Sequence, residues 1–306
     1  MFRTEHIRID PAYRERLRAG GLDTVERVLT RVAGRVAAWS RTTDTLYVAG
    51  AGGEPGFYIK RHFFPTWNKR LRGTFRGTFF GMHRGQSEYL ALDAMRSLGI
   101  PAVRAVAFGG WRVAHFLSAC FLITEEVPGA QNLTTFATNV ATGRRSLPST
   151  QRFSVIRALA TQVARMHATG LPHGNLFWRN VLIRYGPGGQ PEFFFLDPQP
   201  MRPWQRFNPG GSWWIRELAQ LAVSASAFTT RSDWCRFVRS YVDARPVSEL
   251  KSHLRQIDRL AQTWRRHEDR RIHMNRLFEQ WNRQLAMEER RPLPDGRVAG
   301  AVEPSP

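Results

Sequence analysis

The chain has 306 residues, enough to bury one large core or two moderate ones. Its 45 lysines and arginines against 25 acidic residues leave a formal net charge of +20, which favours polyanionic partners, either nucleic acid or an anionic lipid surface. Two cysteines, Cys120 and Cys235, exclude a disulfide framework, and the lack of H-E-x-x-H, Cys-rich or G-x-S-x-G spacing sets aside zinc chemistry and a serine-hydrolase elbow.

The first twenty residues are charged where a secretion signal needs an apolar core, so no signal is expected. The most apolar run, residues 113–124, is interrupted by His115 and falls short of the ~20 residues of a membrane span. Residues 10–41 read mainly as helix and approach to a first sheet, so that residues 1–41 form a helical extension. Residues 42–48 have strand character, and the glycine-rich run at 49–56 can only turn. Residues 57–63 form a second strand with Lys60 at its centre. The turn lacks both the G-x-x-x-x-G-K-[ST] and the G-x-G-x-x-G spacing, so it reads as a hairpin connection. Lys60 reads either as an exposed lysine of an edge strand or, given a loop at His173 well beyond it in the chain, as a phosphate-binding lysine.

Residues 65–84 interleave Trp67, Phe75, Phe79 and Phe80 with Lys69, Arg70, Arg72 and Arg76, a composition that suits a solvated surface, single-stranded nucleic acid or a lipid headgroup layer. Leu90, Ala91, Ala94, Met95 and Leu98 then recur at helical spacing over 87–98, and Gly99 stops the helix. Glu88 in its first turn is either a capping carboxylate or the partner of Lys60. A long apolar strand at 114–124 ends in Glu125-Glu126-Val127-Pro128-Gly129, where a hinge between two lobes would lie; backbone groups around Glu126 and Val127 could then read an adenine edge. Residues 152–169 form an amphipathic helix that delivers the chain to His173.

The stretch 171–198 is the most informative. Two short apolar strands, at 181–183 and 193–196, joined by a Gly/Pro turn would bring Asn180 and Asp197 to the same end of a hairpin. An amide oxygen beside a carboxylate suits a hard cation such as magnesium, held together with substrate phosphates. Taken singly, His173 reads as structural, Asn180 as a turn residue, and Asp197 as the end of a strand before Pro198. As an ordered set they follow H-x-D-x-x-x-x-N and a strand ending in Asp, with Asn175 standing where that motif has its proton-accepting Asp. Residues 213–222 read as a core helix carrying Glu217, and the helix after Ser232 is expected to pack against it. Residues 248–290 read as one or two surface helices, and the Pro/Gly-rich tail at 291–306 as disordered.

The segments RHFFPTWNKRLRG, HRGQSEYLALDAMRSLGIPAVRAVAFG, FLITEEVPGAQNL, HGNLFWRNVLI, FFFLDP and WWIRELAQL, in that order within residues 46–221, resemble the Kdo/WaaP lipopolysaccharide kinase family of the protein-kinase-like superfamily. The resemblance implies an α+β, bilobal protein-kinase-like fold. Residues 42–127 would form an N-lobe of antiparallel sheet plus helix, and residues 128–290 a mainly helical C-lobe. It further implies ATP and Mg2+ between the lobes and phosphoryl transfer to a sugar hydroxyl of the lipopolysaccharide core. Carried over by position, Lys60 would hold the nucleotide phosphates, Glu88 would orient Lys60, Asn180 and Asp197 would hold magnesium, and His173 would brace the loop. The chain departs from the pattern at Gly174, Asn175 and Pro198-Gln199. Asn175 can orient an acceptor hydroxyl but cannot take its proton, so a slow kinase and a pseudokinase scaffold at an anionic envelope surface both stay open, with nucleic-acid binding resting on charge alone. The expected partner is the lipopolysaccharide core or another anionic glycolipid, and the expected location is cytoplasmic, peripheral at the inner face of the inner membrane.

Overall fold

The strand at Phe57–Phe63 lies inside a sheet rather than at its edge, and the rest of the N-terminal half is arranged on its two faces. The structure, a computed structural model, describes residues 3–39, 42–64, 81–200, 208 and 210–289. Among these, six strands form one antiparallel sheet: β1 (Arg3–Ile9), β2 (Arg35–Trp39), β3 (Thr43–Val48), β4 (Phe57–Phe63), β5 (Ala105–Val113) and β6 (Phe116–Glu125), in the order β1-β5-β6-β4-β3-β2. Side chains alternate across a strand, and that alternation separates two environments here. Leu46, Ile59, Phe121 and Ile123 face short helices α1 (Arg14–Ala19) and α2 (Val25–Thr30), in a cluster with Leu17, Leu22 and Val28. Leu122 and Phe108 face the other way, toward α3 (Arg84–Ser97) through Leu92 and Met95. Lys60 pairs with Leu122 across the sheet, so it shares the α3 side. Helix α3 lies very close to the sheet at Gly85, where an added Cβ would stand 2.3 Å from the Phe121 carbonyl.

Residues 10–41 were expected to be mainly helical. Among the described residues α1, α2 and one 3-10 turn at Pro11–Tyr13 are helical, and the flanking segments add both edge strands of the sheet, β1 against β5 and β2 against β3. Edge strands are hard to read because much of their side-chain surface stays in water; only Ile7 and Ile9 of β1 pack against the core.

The second half is helical around a small sheet. Strand β7 (Gln131–Asn132) leads into α4 (Leu133–Ala141) and α5 (Ser149–Ala168), and the hairpin β8 (Val181–Tyr185) and β9 (Pro191–Phe195) follows, with sheet order β7-β8-β9. Helices α6 (Trp213–Ala225), α7 (Arg231–Ala244) and α8 (Leu250–Glu289) complete it. The two halves are stitched by a parallel bridge between Ala102 and Phe195, with Val103 N–H donating to the Phe195 carbonyl and Phe195 N–H to that of Pro101.

Two packing expectations change. The main partner of α7 is α5, not α6, fastened by Arg152 on Asp233 at 2.5 Å, although Tyr241 still stacks on Trp214. Residues 250–289 form a single helix that lies along α6 and buries Ile257, Ala261 and Glu268, so α8 is part of the core and not only surface. The basic aromatic run at 65–80 and the tail at 291–306 lie outside the described residues.

Candidate active site

Between the halves opens a cleft of about 690 Å³, a size suited to a small-molecule ligand. Its walls include Lys60 and His62 from β4, Arg84 and Glu88 from α3, Val127 after β6, Asn180 and Leu182 from the hairpin, Asp197, and Arg271 from α8. Lys60 Nζ donates to Glu88 Oε1 at 2.9 Å and Oε2 at 3.0 Å, and it also donates to Asp197 Oδ1. Three residues from three distant parts of the chain thus meet at one ammonium. Burial works against the Lys60 charge, but the two carboxylates outweigh it and hold its pKa above the ordinary lysine value. Burial drives the Glu88 carboxyl above its ordinary range, and the Lys60 ammonium opposes that shift. Glu88 is the fifth residue of α3 and 3% exposed. The helix is capped instead by His83, whose Nδ1 accepts from Gln86 N–H, so Glu88 is no capping carboxylate.

The loop before the hairpin is held from α6. Glu217 Oε1 accepts from Gly174 N–H, Gln220 Oε1 accepts from Leu176 N–H at 2.7 Å, and Gln220 Nε2 donates to the Gly174 carbonyl at 3.3 Å. Helix residues 217 and 220 share a face, so one turn of α6 grips both neighbours of Asn175. His173 is fully buried with its ring edge-on to Phe195. Burial lowers its pKa, so it is a neutral ring that accepts from Asn175 N–H at Nδ1. Asn175 donates from its side-chain amide to Asp197 Oδ2 at 2.9 Å. The hairpin brings Asn180 and Asp197 to one end: Val181 pairs with Phe195, and Leu196 N–H donates to the Asn180 carbonyl at 3.0 Å.

The donor set fits a magnesium ion. Asn180 Nδ2 donates to the Asn175 carbonyl at 2.8 Å, which leaves Oδ1 as the amide atom for a cation, next to the Asp197 carboxylate. Among the described residues no group of three or more His, Cys, Asp or Glu could hold a metal. Two oxygen donors, with substrate phosphates and water completing the shell, are what magnesium commonly takes and what a zinc site would not.

The side chain and N–H of Glu126 both face the glycine-rich turn. Its N–H donates to the Gly56 carbonyl at 2.8 Å, and its carboxylate accepts from Tyr47 Oη and Gly56 N–H at 2.8 and 2.9 Å. Glu126 therefore holds the end of the glycine-rich turn, and its N–H has no free direction toward an adenine. Glu125 and Val127, its neighbours on either side, border the cleft, although the Glu125 carboxylate accepts from Tyr13 and Arg16 on the opposite face of the sheet. Some residues in and behind the cleft were not singled out by their own segments. Gln220 was readable as the residue three after Glu217 on one helical face, but Arg271 and the Arg179–Glu268 pair at 2.7 Å depend on how α8 crosses the C-lobe.

A sheet-bearing N-lobe with a lysine–glutamate pair, a helical C-lobe with an Asn and an Asp on one hairpin, and a cleft between them define the protein-kinase-like fold. The family model for the lipopolysaccharide kinase (Kdo/WaaP) family matches residues 24–241, and the chain belongs to that family. It is 25% identical over 235 residues to the lipopolysaccharide core heptose(I) kinase WaaP of Escherichia coli, covering 75% of this chain and 85% of that protein. With the enzyme of the same name from Pseudomonas aeruginosa it shares 24% identity over 197 residues, covering 64% of this chain and 72% of that one. A solved structure of WaaP in complex with acyl carrier protein has the same fold, at a TM-score of 0.58 and 22% identity over 84% of this chain and 98% of that one.

Proposed function

We propose that the chain uses ATP and magnesium to transfer a phosphoryl group to a sugar hydroxyl of the lipopolysaccharide core, the acceptor class named for its relatives. The observation that carries this reading is the meeting of Lys60, Glu88 and Asp197 in the cleft. Lys60 binds the nucleotide phosphates, and Glu88 holds its ammonium in place. Asn180 and Asp197 would hold magnesium, which would supply neutralisation of the phosphate charge. Asn175 has no form that accepts a proton, which forgoes the roughly 10²–10⁴-fold of general-base catalysis. Positioning and electrostatics carry most of the rate in a loose phosphoryl transfer, so slow turnover is compatible with this residue. The second reading, a nucleotide-binding scaffold without transfer, is favoured by the same Asn175.

ATP with magnesium is expected to raise the melting temperature, since binding to the native state stabilises it by mass action, and Asp197→Ala is expected to lose the magnesium-dependent part. An equal shift in Asp197→Ala would make the hairpin purely structural. Phosphate transfer from ATP to core oligosaccharide separates the enzyme from the scaffold. The net charge of +20 supports a peripheral position on the inner face of an anionic membrane; among the described residues no helix is long and apolar enough to cross one. Phosphatidylglycerol vesicles should retain the chain at low salt and release it at high salt. Displacement from them by nucleic acid at far lower charge equivalents would favour a nucleic-acid partner instead.

A further inference from the structure

Asn175 touches both members of the cation-ligand pair. Its side-chain amide donates to Asp197 Oδ2 at 2.9 Å and to the Asp197 carbonyl at 3.2 Å, while its own carbonyl accepts from Asn180 Nδ2 at 2.8 Å. Asp197 sits at a φ of 54°, in the left-handed region that non-glycine residues visit rarely and hold only when their surroundings fix them. The bond to the Asp197 carbonyl secures that peptide. Asn175 is fixed in turn, because α6 grips Gly174 through Glu217 and Leu176 through Gln220.

We propose that Asn175 is a positioning residue that clips Asn180 and Asp197 into register, a neutral donor placed where a carboxylate would repel Asp197; this rests on the nucleotide-site reading above. Aspartate has the same length, but an ionised carboxylate only accepts hydrogen bonds. At this position it would confront Asp197 Oδ2 across the 2.9 Å that the amide now bridges, and two carboxylates sharing a site repel. Both Asp197 oxygens are engaged, Oδ1 by Lys60 and Oδ2 by Asn175. A carboxylate has about four lone-pair sites, so these two donors leave room on it for a cation. The amide thus holds Asp197 in place while the Asn175 carbonyl keeps Asn180 turned with Oδ1 outward.

The test is ADP binding to the full chain by titration calorimetry, in magnesium chloride and in EDTA, with melting measured in the same buffers. Asn175→Ala is expected to weaken ADP binding about tenfold in magnesium, the lower end of what loss of a contact behind a metal ligand costs, and to leave binding in EDTA unchanged. General loosening of the fold would weaken both. Asn175→Asp is expected to melt below the native chain in EDTA and to regain that loss in magnesium, where a dication between two carboxylates replaces the amide. Native-like affinity of Asn175→Ala in magnesium, or an Asn175→Asp chain as stable as native in EDTA, would overturn the clip. A native chain whose ADP affinity ignores magnesium would overturn the nucleotide-site reading itself, whatever the variants do.

Discussion

Lys60 is held by two carboxylates of unlike standing. The Glu88 side chain is 4% exposed and that of Asp197 27%, so the first pair is structural as much as functional, while the second borders the cleft. Removing one partner of a buried ion pair strands the other charge, at about 3–5 kcal/mol. Glu88 relieves part of this by taking a proton, since burial already pushes its carboxyl up. Lys60→Met is therefore expected to lose roughly 2–3 kcal/mol in urea denaturation at pH 7 before any nucleotide is added, and a variant as stable as native would mean that Glu88 has another partner. Loss of activity in Lys60→Met would thus mix two effects. Gly174 explains a second departure from the kinase pattern. It has a φ of 72°, and an added Cβ would lie 2.5 Å from the Gln199 side chain, so an arginine before Asn175 would require Gln199 to move and would accept left-handed strain of about 1–2 kcal/mol.

The elements divide between those that present the site and those that hold it still. β4 and α3 meet on one face of the sheet and bring Lys60 to Glu88, while the β8–β9 hairpin presents Asn180 and Asp197. α6 grips the loop from beneath, and Glu217 reaches onward to His167 at 3.1 Å, which meets the Tyr241 hydroxyl at 2.8 Å. This line of polar contacts runs from the loop through α5 to α7, and its members are all buried. On the other side of the N-lobe, Arg16 of α1 binds Glu125 at 2.6 Å and Tyr13 donates to the same carboxylate at 2.7 Å, so the N-terminal segment fastens the end of β6 where the lobes join. The hairpin, α3, α5 and α6 could be placed from apolar spacing. The partner of α7 could not, because amphipathic helices of similar pattern differ in which neighbour they meet only once all are packed.

Stability of the protein as a unit is tied to pH through its histidines. Burial lowers the pKa of His62 and His83 to about 3, and lowers those of His167 and His173. In the unfolded chain they titrate near the ordinary value of about 6.5. A group whose folded pKa is depressed contributes stability that is complete above its unfolded pKa and is lost as pH falls, because the unfolded state binds the protons. His62 and His83 should each cost on the order of 2 kcal/mol at pH 5 relative to pH 7.5. Asp233, held down to about 2 by Arg152 and Thr230, keeps its contribution until pH drops below the ordinary carboxylate range, so it does not blur the comparison. Urea midpoints are expected to fall clearly from pH 7.5 to pH 5, and an unchanged midpoint would mean that water reaches these rings in the folded chain.

Periodicity and local chemistry were enough to place β4 with Lys60, α3 with Glu88, the loop at His173 and the hairpin ending at Asn180 and Asp197. Each is encoded within a few residues: alternation for strands, three-and-four spacing for helices, and Gly/Pro at turns. Which face each element turns to its neighbours was not local. Glu126 turns toward the glycine-rich turn and Val127 toward the cleft because β4 and β6 pair in one register. The two edge strands near the N-terminus exist because β3 and β5 leave unpaired backbone for them. The use of the Asn175 amide on Asp197 depends on α6 fixing the loop from one side and β9 delivering Asp197 from the other. Such contacts join residues 22 to 137 positions apart, and a chain carries no local mark of a partner that only packing brings near.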